Sequence, residues 1–504
     1  MKFRRPHIFG IFLDMARVLV LLLLPLVRGL LTSLEGGLQS WLASAWMDIL
    51  VICFILAFGF LSWWHTGFTL ERGALVMRRG ILMKRASSVA IGKISWASMV
   101  HPWYLRAFRA VQFRADTLGG SAREPDFSML LRREDALWLF TLLDGVVPLS
   151  DSRPPDAPRE YRPRVAYLVL LSALTSNSLA GILLASAGIS HIGNLMGYQL
   201  SERIYGTLEQ LTRLAAFGIP PAAAALAYLL LSGWLLAFLS NFTRLQNLYV
   251  VRKGRQLYIH SGIFTRRSYT MDLRQINFVD IRQSLMTKIL RMESVFLYTA
   301  GYGKNKEDIS VLIPVSMEWE NRSTLHRLLP EMLPSPCTLR PNPGAIMKFL
   351  MDALVLCAAV PICSWLLCRL VPSWSPVIRY LGLMAMIPAV WFFTVRLLDF
   401  LSSGIARNGD TFTLRYSHLF YLHTVVIPKD RIVKVRLRQS ILQWGDQKCD
   451  LLIYSRGEAA KRHHLRNLSL SDCAMLLDLP GYMLPPRKGN LLWRILPFGR
   501  KKSR

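Results

Sequence analysis

Long apolar runs alternate with mixed polar segments along the whole chain. The six runs cover residues 15–34, 46–64, 166–189, 215–240, 346–370 and 376–400. Each run is long enough to cross a bilayer core as a helix, which takes about 20 residues. Because the runs come in close pairs, they predict three helical hairpins, at residues 1–64, 164–240 and 343–400.

The segments between the hairpins carry the pattern of antiparallel β-structure. Residues 68–91 show short apolar–polar alternations divided by glycines, which is typical of strands joined by turns. Residues 133–146 have apolar positions at helical spacing and predict an amphipathic helix. The same order recurs twice. We therefore expect three β-rich domains that each end in a helix, and a separate tail, at residues 65–163, 241–342, 401–483 and 484–504.

One stretch of sequence occurs three times. Residues 93–119, 274–301 and 431–457 align, with an isoleucine near the start and a glycine at the end of each in register. The quartet Arg-Gln-Ser followed by Leu or Ile stands at 282–285 and again at 438–441. Self-similarity at a long period indicates one structural unit built three times.

These repeats resemble the bacterial pleckstrin-homology-like (PH-like) domains of membrane-anchored proteins. The resemblance rests on glycine-centred hairpins at 79–81 and 261–263, on the Gln-Ser-Leu/Ile segment, and on a strand that ends in Tyr-Thr-Ala-Gly at 298–301. It implies a seven-stranded, strongly bent antiparallel sandwich capped by one C-terminal helix, without catalytic residues. The first copy departs from the pattern at residues 101–103, and the third has His418 at the hairpin glycine.

The charge of the chain indicates an anionic partner surface. The sequence has 61 Lys plus Arg against 32 Asp plus Glu, a formal net charge of +29, while 52% of its residues are hydrophobic. A basic excess suits nucleic acid or the inner face of a membrane, and the apolar runs favour the membrane. The connections inside the hairpins carry only Arg203 and Arg213. The positive-inside rule therefore puts the β-rich domains and both termini in the cytoplasm.

The expected fold class is mixed. It is a polytopic α-helical protein of the bacterial inner membrane, with six spans in three hairpins. Three cytoplasmic PH-like β-sandwich domains, each capped by a C-terminal helix, complete it. The seven cysteines lack metal-site spacing and are typical of reduced packing residues. We expect anionic membrane lipids as partners and no nucleic acid.

A basic strand is the first candidate binding surface. Lys434, Arg436 and Arg438 alternate with apolar residues, so a strand presents all three side chains on one face. Such a face suits acidic lipid headgroups or an acidic protein partner. The alternative is the solvated outer face of an ordinary sheet.

The C-terminal tail is the second candidate surface. It has no acidic residue, and its basic side chains are interleaved with Leu, Trp, Ile and Phe. This composition predicts binding to anionic lipid, and a disordered basic end is the alternative. The basic residues are Arg487, Lys488, Arg494, Arg500, Lys501, Lys502 and Arg504.

A continuous apolar stretch at residues 419–422 is the third candidate. One face of a strand buries only alternate residues, so either Leu419 and Tyr421 or Phe420 and Leu422 must find cover from outside the domain core. Phe420 and Tyr421 are the predicted contact residues. Neighbouring copies, a second protomer or a smaller PH-like companion membrane protein could supply that cover. The alternative is the C-terminal helix around residues 476–477.

No catalytic motif is present in the sequence. There is no G-x-S-x-G, no Walker A loop and no H-E-x-x-H, so we expect no enzyme, cofactor or metal site. The expected function is a non-enzymatic scaffold that presents PH-like domains to lipid headgroups or proteins, with envelope stress or defence as candidate processes. The alternative is a component of a membrane transport or export system, for which residues 175–178 offer polar side chains.

Overall fold

Three β-rich units follow one another along the chain. The computed structural model describes residues 3–12, 15, 38–81, 83–117, 125–144, 159–176, 221–299, 311–440, 443, 446–456 and 461–478. A long apolar helix leads into each unit: α1 (Leu38–Trp64) into unit 1, α5 (Pro221–Leu245) into unit 2, and α9 (Ser375–Ser402) into unit 3.

Units 1 and 2 repeat one order of elements, and the described residues of unit 3 repeat their six strands and last helix. Unit 1 contains β1 Gly67–Glu71, β2 Ala74–Arg79, β3 Arg85–Ala90, β4 Ile94–Pro102, α2 Trp103–Arg106, β5 Ala110–Thr117, β6 Phe127–Arg132 and α3 Arg133–Asp144. The linker adds β7 Arg159–Tyr161 and α4 Val165–Thr175. Unit 2 contains β8 Tyr249–Lys253, β9 Gln256–Ser261, β10 Thr265–Asp272, β11 Ile276–Ser284, α6 Leu285–Ile289, β12 Met292–Thr299, β13 Val311–Met317 and α7 Glu318–Leu328. Unit 3 contains β14 Gly404–Asn408, β15 Thr411–His418, β16 Tyr421–Pro428, β17 Ile432–Arg438, β18 Lys448–Ser455, β19 Lys461–Ser469 and α10 Leu470–Leu476.

The sheets cross the boundaries between units. Strands β6, β5 and β4 of unit 1 continue into β10, β9 and β8 of unit 2, with β7 at the far edge. Strands β13, β12 and β11 of unit 2 continue in the same way into β16, β15 and β14 of unit 3. We call the β4–β10 contact joint 1 and the β11–β16 contact joint 2. The joints are equivalent, because Ala97 faces Thr270 in the first and the aligned Val279 faces Val426 in the second.

This arrangement differs from the seven-stranded sandwich that the resemblance implies. The described part of each unit has six strands, and each joint links the edge of one unit to the edge of the next. An open strand edge carries unpaired N–H and C=O groups, and a repeated unit offers a matching edge. The three units therefore form one continuous array, with the three-stranded sheets β1–β2–β3 and β17–β18–β19 at its two ends.

The hydrophobic core also crosses the joints. The largest buried cluster combines Trp96 of unit 1, Tyr269 of unit 2 and Val426 of unit 3. The cluster of unit 3 includes Phe278 of unit 2. Separating two units would expose this apolar surface at about 25 cal/mol per Å², so the shared core holds the array together.

Within the described residues, two helices have the length and composition of membrane spans. Helix α8 (Ile346–Leu370) packs on α9, and with their flanking turns they cover Pro343–Leu370 and Pro372–Ser402. In each helix 11% of the most apolar window is buried. Their side chains therefore face outward, as a lipid environment requires of an apolar helix. The predicted run 15–34 and the stretch 177–220 lie outside the described residues, except for residue 15.

The strand interpretation of residues 419–422 is wrong at its first half. His418 pairs with Tyr421 across the β15–β16 hairpin, so Leu419 and Phe420 are the two turn residues. Leu419 has a φ of 51°, the conformation for which glycine is usual. The turn was hidden in the sequence because unit 3 lacks the glycine that marks the hairpin in unit 2, Gly262 with a φ of 92°.

Candidate functional site

Strand β17 is an open edge of the array. It pairs with β18 along one side, and within the described residues no strand pairs with its other side. The equivalent strands β4 and β11 are covered on that side by β10 and β16. Strand β17 therefore presents backbone N–H and C=O groups that can accept another strand.

The basic residues singled out in the sequence lie along this edge. Lys434, Arg436 and Arg438 are exposed, whereas Val435 and Leu437 are partly buried against the core of unit 3. A strand directs alternate side chains to opposite faces. The three cations therefore share the outward face of β17, and their role in binding stays a prediction.

The joints show what this face becomes when a strand covers it. The residues that align with Lys434 in units 1 and 2 are Trp96 and Phe278, and both are 2% exposed. The position of Arg436 is taken in unit 2 by Asp280, which is fully buried. Charged side chains on an edge strand oppose pairing with an apolar neighbour, because their burial requires desolvation. The face is thus apolar or neutralised at the joints and cationic at the open end.

A buried charge network crosses joint 2. The Oδ1 atom of Asp280 lies 2.9 Å from Nδ1 of His423, which belongs to the partner strand β16. Arg282 donates from Nε to Oδ2 at 2.8 Å, and Nζ of Lys461 lies 3.6 Å from the same oxygen. Burial alone would raise the pKa of Asp280, but His423, Arg282 and Lys461 hold it well below its usual value. The carboxylate therefore stays charged and links strands of units 2 and 3.

Sequence reasoning missed this network. One signal was available, since Asp280 interrupts the apolar run of β11 at a position where its neighbours Val279 and Ile281 are buried. A lone carboxylate in such a run requires a buried partner. The partner His423 is far away in sequence, so the pairing could not be read from the chain.

A histidine pair on β19 lies in the same region. In His463, Nδ1 lies 2.8 Å from the Tyr416 hydroxyl, and Nε2 lies 3.1 Å from the Ser455 hydroxyl. Burial, with the charge of Lys461, lowers the pKa of His463 to about 3, so the ring is neutral near pH 7. The adjacent His464 points to the other face of the strand. The described residues hold no cluster of three or more metal-binding side chains.

Ion pairs and hydrogen bonds attach unit 3 to the two candidate spans. Nζ of Lys348, near the start of α8, lies 2.6 Å from Oδ1 of Asp450 in β18. Near the end of α9, Arg396 donates to the Ser417 hydroxyl at 2.8 Å, and that hydroxyl donates to Asp399 at 2.8 Å. These contacts fix the orientation of the sheets relative to α8 and α9.

The remaining predicted residues lie apart from β17. The ring centroid of Phe420 is 5.9 Å from that of Phe392 in α9, in an edge-on contact. Tyr421 begins β16 and faces Ser284 of β11. The C-terminal helix covers the core of unit 3 through residues 476–477. The tail residues Arg494, Arg500, Lys501 and Lys502 lie outside the described residues.

Fold and anchoring together define a class of membrane-attached protein in which PH-like units share their sheets. The chain belongs to the bacterial PH domain family, whose model matches residues 18–145, 209–327 and 356–482. It is 21% identical over 457 residues to the UPF0699 transmembrane protein YdbT of Bacillus subtilis (strain 168), which covers 85% of this chain and 87% of that protein. No solved structure matches the chain. These findings confirm the resemblance and make the chain a membrane protein with three bacterial PH domains.

Proposed function

We propose that the protein is a non-enzymatic scaffold of the bacterial inner membrane. Six spans in three hairpins hold the three PH-like units on the cytoplasmic side, with both termini inside. The alternation of apolar runs and the scarcity of Lys and Arg inside the hairpins support this topology.

Reporter fusions test the topology of the scaffold. Fusions inside the hairpins should report the outside, and fusions inside the units should report the cytoplasm. An inside signal within the second hairpin would contradict six spans. The outside positions are Ala45, His191 and Ser373, and the inside positions are Gly119, Gly301 and Gly457.

The open basic edge of β17 carries the binding part of the proposal. Strand β17 starts beside the turn Lys429–Arg431, and the aligned β11 ends at Ser284, opposite the β15–β16 turn that touches α9. By this equivalence Arg438 is nearest the membrane, and Lys434 is about 13 Å further along the strand at 3.3 Å per residue. A column of charges along a strand suits an extended acidic segment better than a flat layer of headgroups.

The partner is therefore an acidic protein segment that adds as a strand to β17. Main-chain hydrogen bonds to the open edge would supply affinity, and acidic side chains at alternate positions would meet the three cations. An acidic strand would also neutralise the face that opposes pairing with an apolar neighbour.

A synthetic peptide of alternating Glu and Thr tests this binding mode. The full chain in nanodiscs of neutral lipid should bind the labelled peptide, as measured by fluorescence anisotropy, and should lose it as salt rises. The triple variant Lys434→Glu, Arg436→Glu and Arg438→Glu should bind at least about tenfold more weakly, which is about 1.4 kcal/mol.

A matched control variant distinguishes peptide binding at β17 from attraction by the net charge of the chain. It carries the same change of charge at exposed positions in units 1 and 2: Arg72→Glu, Lys93→Glu and Lys253→Glu. This variant should bind the peptide like the unchanged chain. Equal losses in both triple variants would show that the peptide follows total charge, and the proposal for β17 would then be wrong.

The tail supplies a second proposed contact, with anionic lipid. Its interleaved basic and apolar residues support binding at about 1 kcal/mol per basic residue near the surface. A peptide of residues 485–504 should bind anionic vesicles and be released by salt. Equal binding to neutral vesicles would argue against this contact.

A further inference from the structure

Large apolar side chains are exposed on the turns and short helices at one end of the sheets. They include Phe264 in the β9–β10 turn at 60%, Ile289 in α6 at 69% and Leu419 in the β15–β16 turn at 58%. Unit 1 shows the same feature, with Met83 in the β2–β3 turn at 75% and Trp103 in α2 at 66%. Exposed apolar side chains that recur in all three units indicate an interaction surface.

The strand registers bring these side chains together. In joint 1, Thr265 faces Pro102, so the β9–β10 turn lies next to α2. In joint 2, Tyr421 faces Ser284, so the β15–β16 turn lies next to α6. The exposed side chains therefore follow one end of the array, and we call them the apolar rim: Met83, Trp103, Phe264, Ile289, Leu419 and Phe420.

The apolar rim lies beside the helices that lead into units 2 and 3 and, in unit 1, beside the N-terminal segment. In unit 3, Phe420 contacts Phe392 of α9. In unit 2, the backbone N–H of Gly262 donates to the carbonyl of Gln246 at 2.6 Å, just beyond the end of α5, and the next N–H donates to Thr243 at 3.2 Å. In unit 1, the ring of Phe108, directly after α2, stacks at 4.4 Å on Phe9 of the N-terminal segment.

Two independent lengths give the depth of the rim in unit 3. Phe392 precedes the end of α9 at Ser402 by about 15 Å, at 1.5 Å per residue. Gly404 pairs with Arg415, and Phe420 lies about 16 Å beyond Arg415 along the hairpin, at 3.3 Å per residue. Both lengths put the hairpin tip beside the apolar part of the candidate span, on the far side of its charged end.

Basic side chains border the rim. Lys84, Arg266, Lys288 and Arg291 are exposed and lie within two residues of a rim residue or of the helix that carries one. Arg106 of α2 donates at 2.9 Å to the carbonyl of Phe264, which holds two neighbouring tips together. Apolar tips with cations behind them match the order of acyl chains and anionic headgroups in the cytoplasmic leaflet.

We propose that the apolar rim is embedded in the cytoplasmic leaflet, at the boundary between headgroups and acyl chains. The occupant of the surface is the lipid bilayer itself, and the sheets stand on it with their joints running away from the membrane. This goes beyond the scaffold proposed above, because it assigns a lipid-contacting role to the PH-like units themselves. It rests on the membrane placement of α8 and α9.

Depth-dependent fluorescence quenching tests the proposal. The five cysteines that are not buried are replaced by Ala, and the fully buried Cys449 and Cys473 are kept. Single cysteines at Phe264, Ile289 and Leu419 then carry an environment-sensitive dye, with the chain that lacks an added cysteine as the labelling background. The full-length protein is reconstituted in vesicles of lipid with or without bromine on the acyl chains.

Controls are chosen for equal exposure at other heights. Val433, at the opposite end of the sheets, is 65% exposed. A dye at this position should show the same fluorescence in brominated and in unbrominated lipid. Leu366, in the last third of α8 and 50% exposed, should be strongly quenched. The rim positions should be quenched at least twofold more than Val433 and show a blue-shifted emission.

Each pattern of results decides the question. Quenching at the rim and at Leu366, but not at Val433, supports the proposal. Quenching at Leu366 alone contradicts the lipid-contacting role of the apolar rim and does not affect the proposed scaffold function. It would indicate a protein partner for the rim side chains. Quenching at none of the positions overturns the membrane placement of α8 and, with it, the rim.

Discussion

Joint 2 and the open edge of β17 use the same position of the repeat for opposite purposes. At the joint, β11 pairs with β16 from Val279 to Ser284, and Phe278 and Asp280 are buried. At the open edge, the aligned Lys434 and Arg436 face outward with no strand against them in the described residues. The backbone is alike in both places, so the side chains decide whether an edge joins or ends the array.

The comparison shows how the array of paired units ends. A stack of units needs a terminal face that does not recruit another unit. Three cations on β17 meet this need, because covering them with an apolar edge leaves unpaired charges without water. The same cations leave the edge available to a partner that brings its own negative charge.

The largest effect is expected when β17 is given the side chains that β4 has at the aligned positions. The variant Lys434→Trp, Arg436→Ser and Arg438→Val should pair with strand β3 of a second chain, which is an edge strand of its sheet within the described residues. The reason is that the face of β17 becomes apolar while the strand keeps its N–H and C=O groups. Mass photometry of the detergent-extracted protein should show at least a doubling of mass over the unchanged chain.

A control variant distinguishes lost charge from gained apolar surface. Changing Lys434, Arg436 and Arg438 to Gln removes the charges without adding an apolar face, and should produce a smaller increase in mass. If the first variant keeps the mass of the unchanged chain, the cations are not what ends the array.

A large effect on stability is expected when the buried charge in joint 2 is removed. Asp280→Ala leaves His423, Arg282 and Lys461 without their common carboxylate, so the free energy of unfolding should fall by about 3–5 kcal/mol. Chemical denaturation followed by near-ultraviolet circular dichroism measures the change. The exposed Asp430→Ala should cost about 0–1 kcal/mol, and an equal effect of both changes would contradict the role given to Asp280.

The stability of the Asp280→Ala variant should also differ from that of the unchanged chain in its dependence on pH. The folded pKa of Asp280 is held below the unfolded value, so the stability supplied by its charge is present above about pH 4 and is lost as pH falls. Asp280→Ala should lack this part of the acid-induced loss. Parallel stability curves for both proteins below pH 4 would show that the charge does not stabilise the joint.

A smaller effect is expected from Glu293, on the neighbouring strand β12. Burial, with the charge of Glu318, raises the pKa of Glu293 to about 7. A raised carboxyl pKa means that stability is lost as pH rises from about 4.5 to about 7. Glu293→Gln should therefore be more stable at pH 8, by about 1–3 kcal/mol, and should flatten the curve in that window. A variant less stable than the unchanged chain at pH 8 would oppose this.

Local patterns predicted the units well, because strands and amphipathic helices are written in periods of two and 3.6 residues. The three copies, the outward face of Lys434 and the helix at residues 133–146 all followed from such patterns. The glycine hairpin at 261–263 did so as well.

The joints could not be predicted in this way. Nothing in the sequence near Ala97 specifies that Thr270, from the next unit, will lie opposite it, because a strand edge is generic in its hydrogen bonding. The partner of Asp280 was hidden for the same reason. The strand interpretation of residues 419–422 failed at Leu419, because a turn without glycine has no local signature in the sequence.

The joints also determine when each sheet can be completed during synthesis. Strand β4 leaves the ribosome long before its partner β10, and the chain between Pro102 and Thr265 includes the proposed second hairpin. At 5–20 residues per second this interval is on the order of 10 to 30 s. During that time the edge of β4 is open and the hairpin must reach the translocation machinery. With the proposed second hairpin, membrane insertion and sheet completion alternate during synthesis, and the sheets close in the order in which their strands are translated.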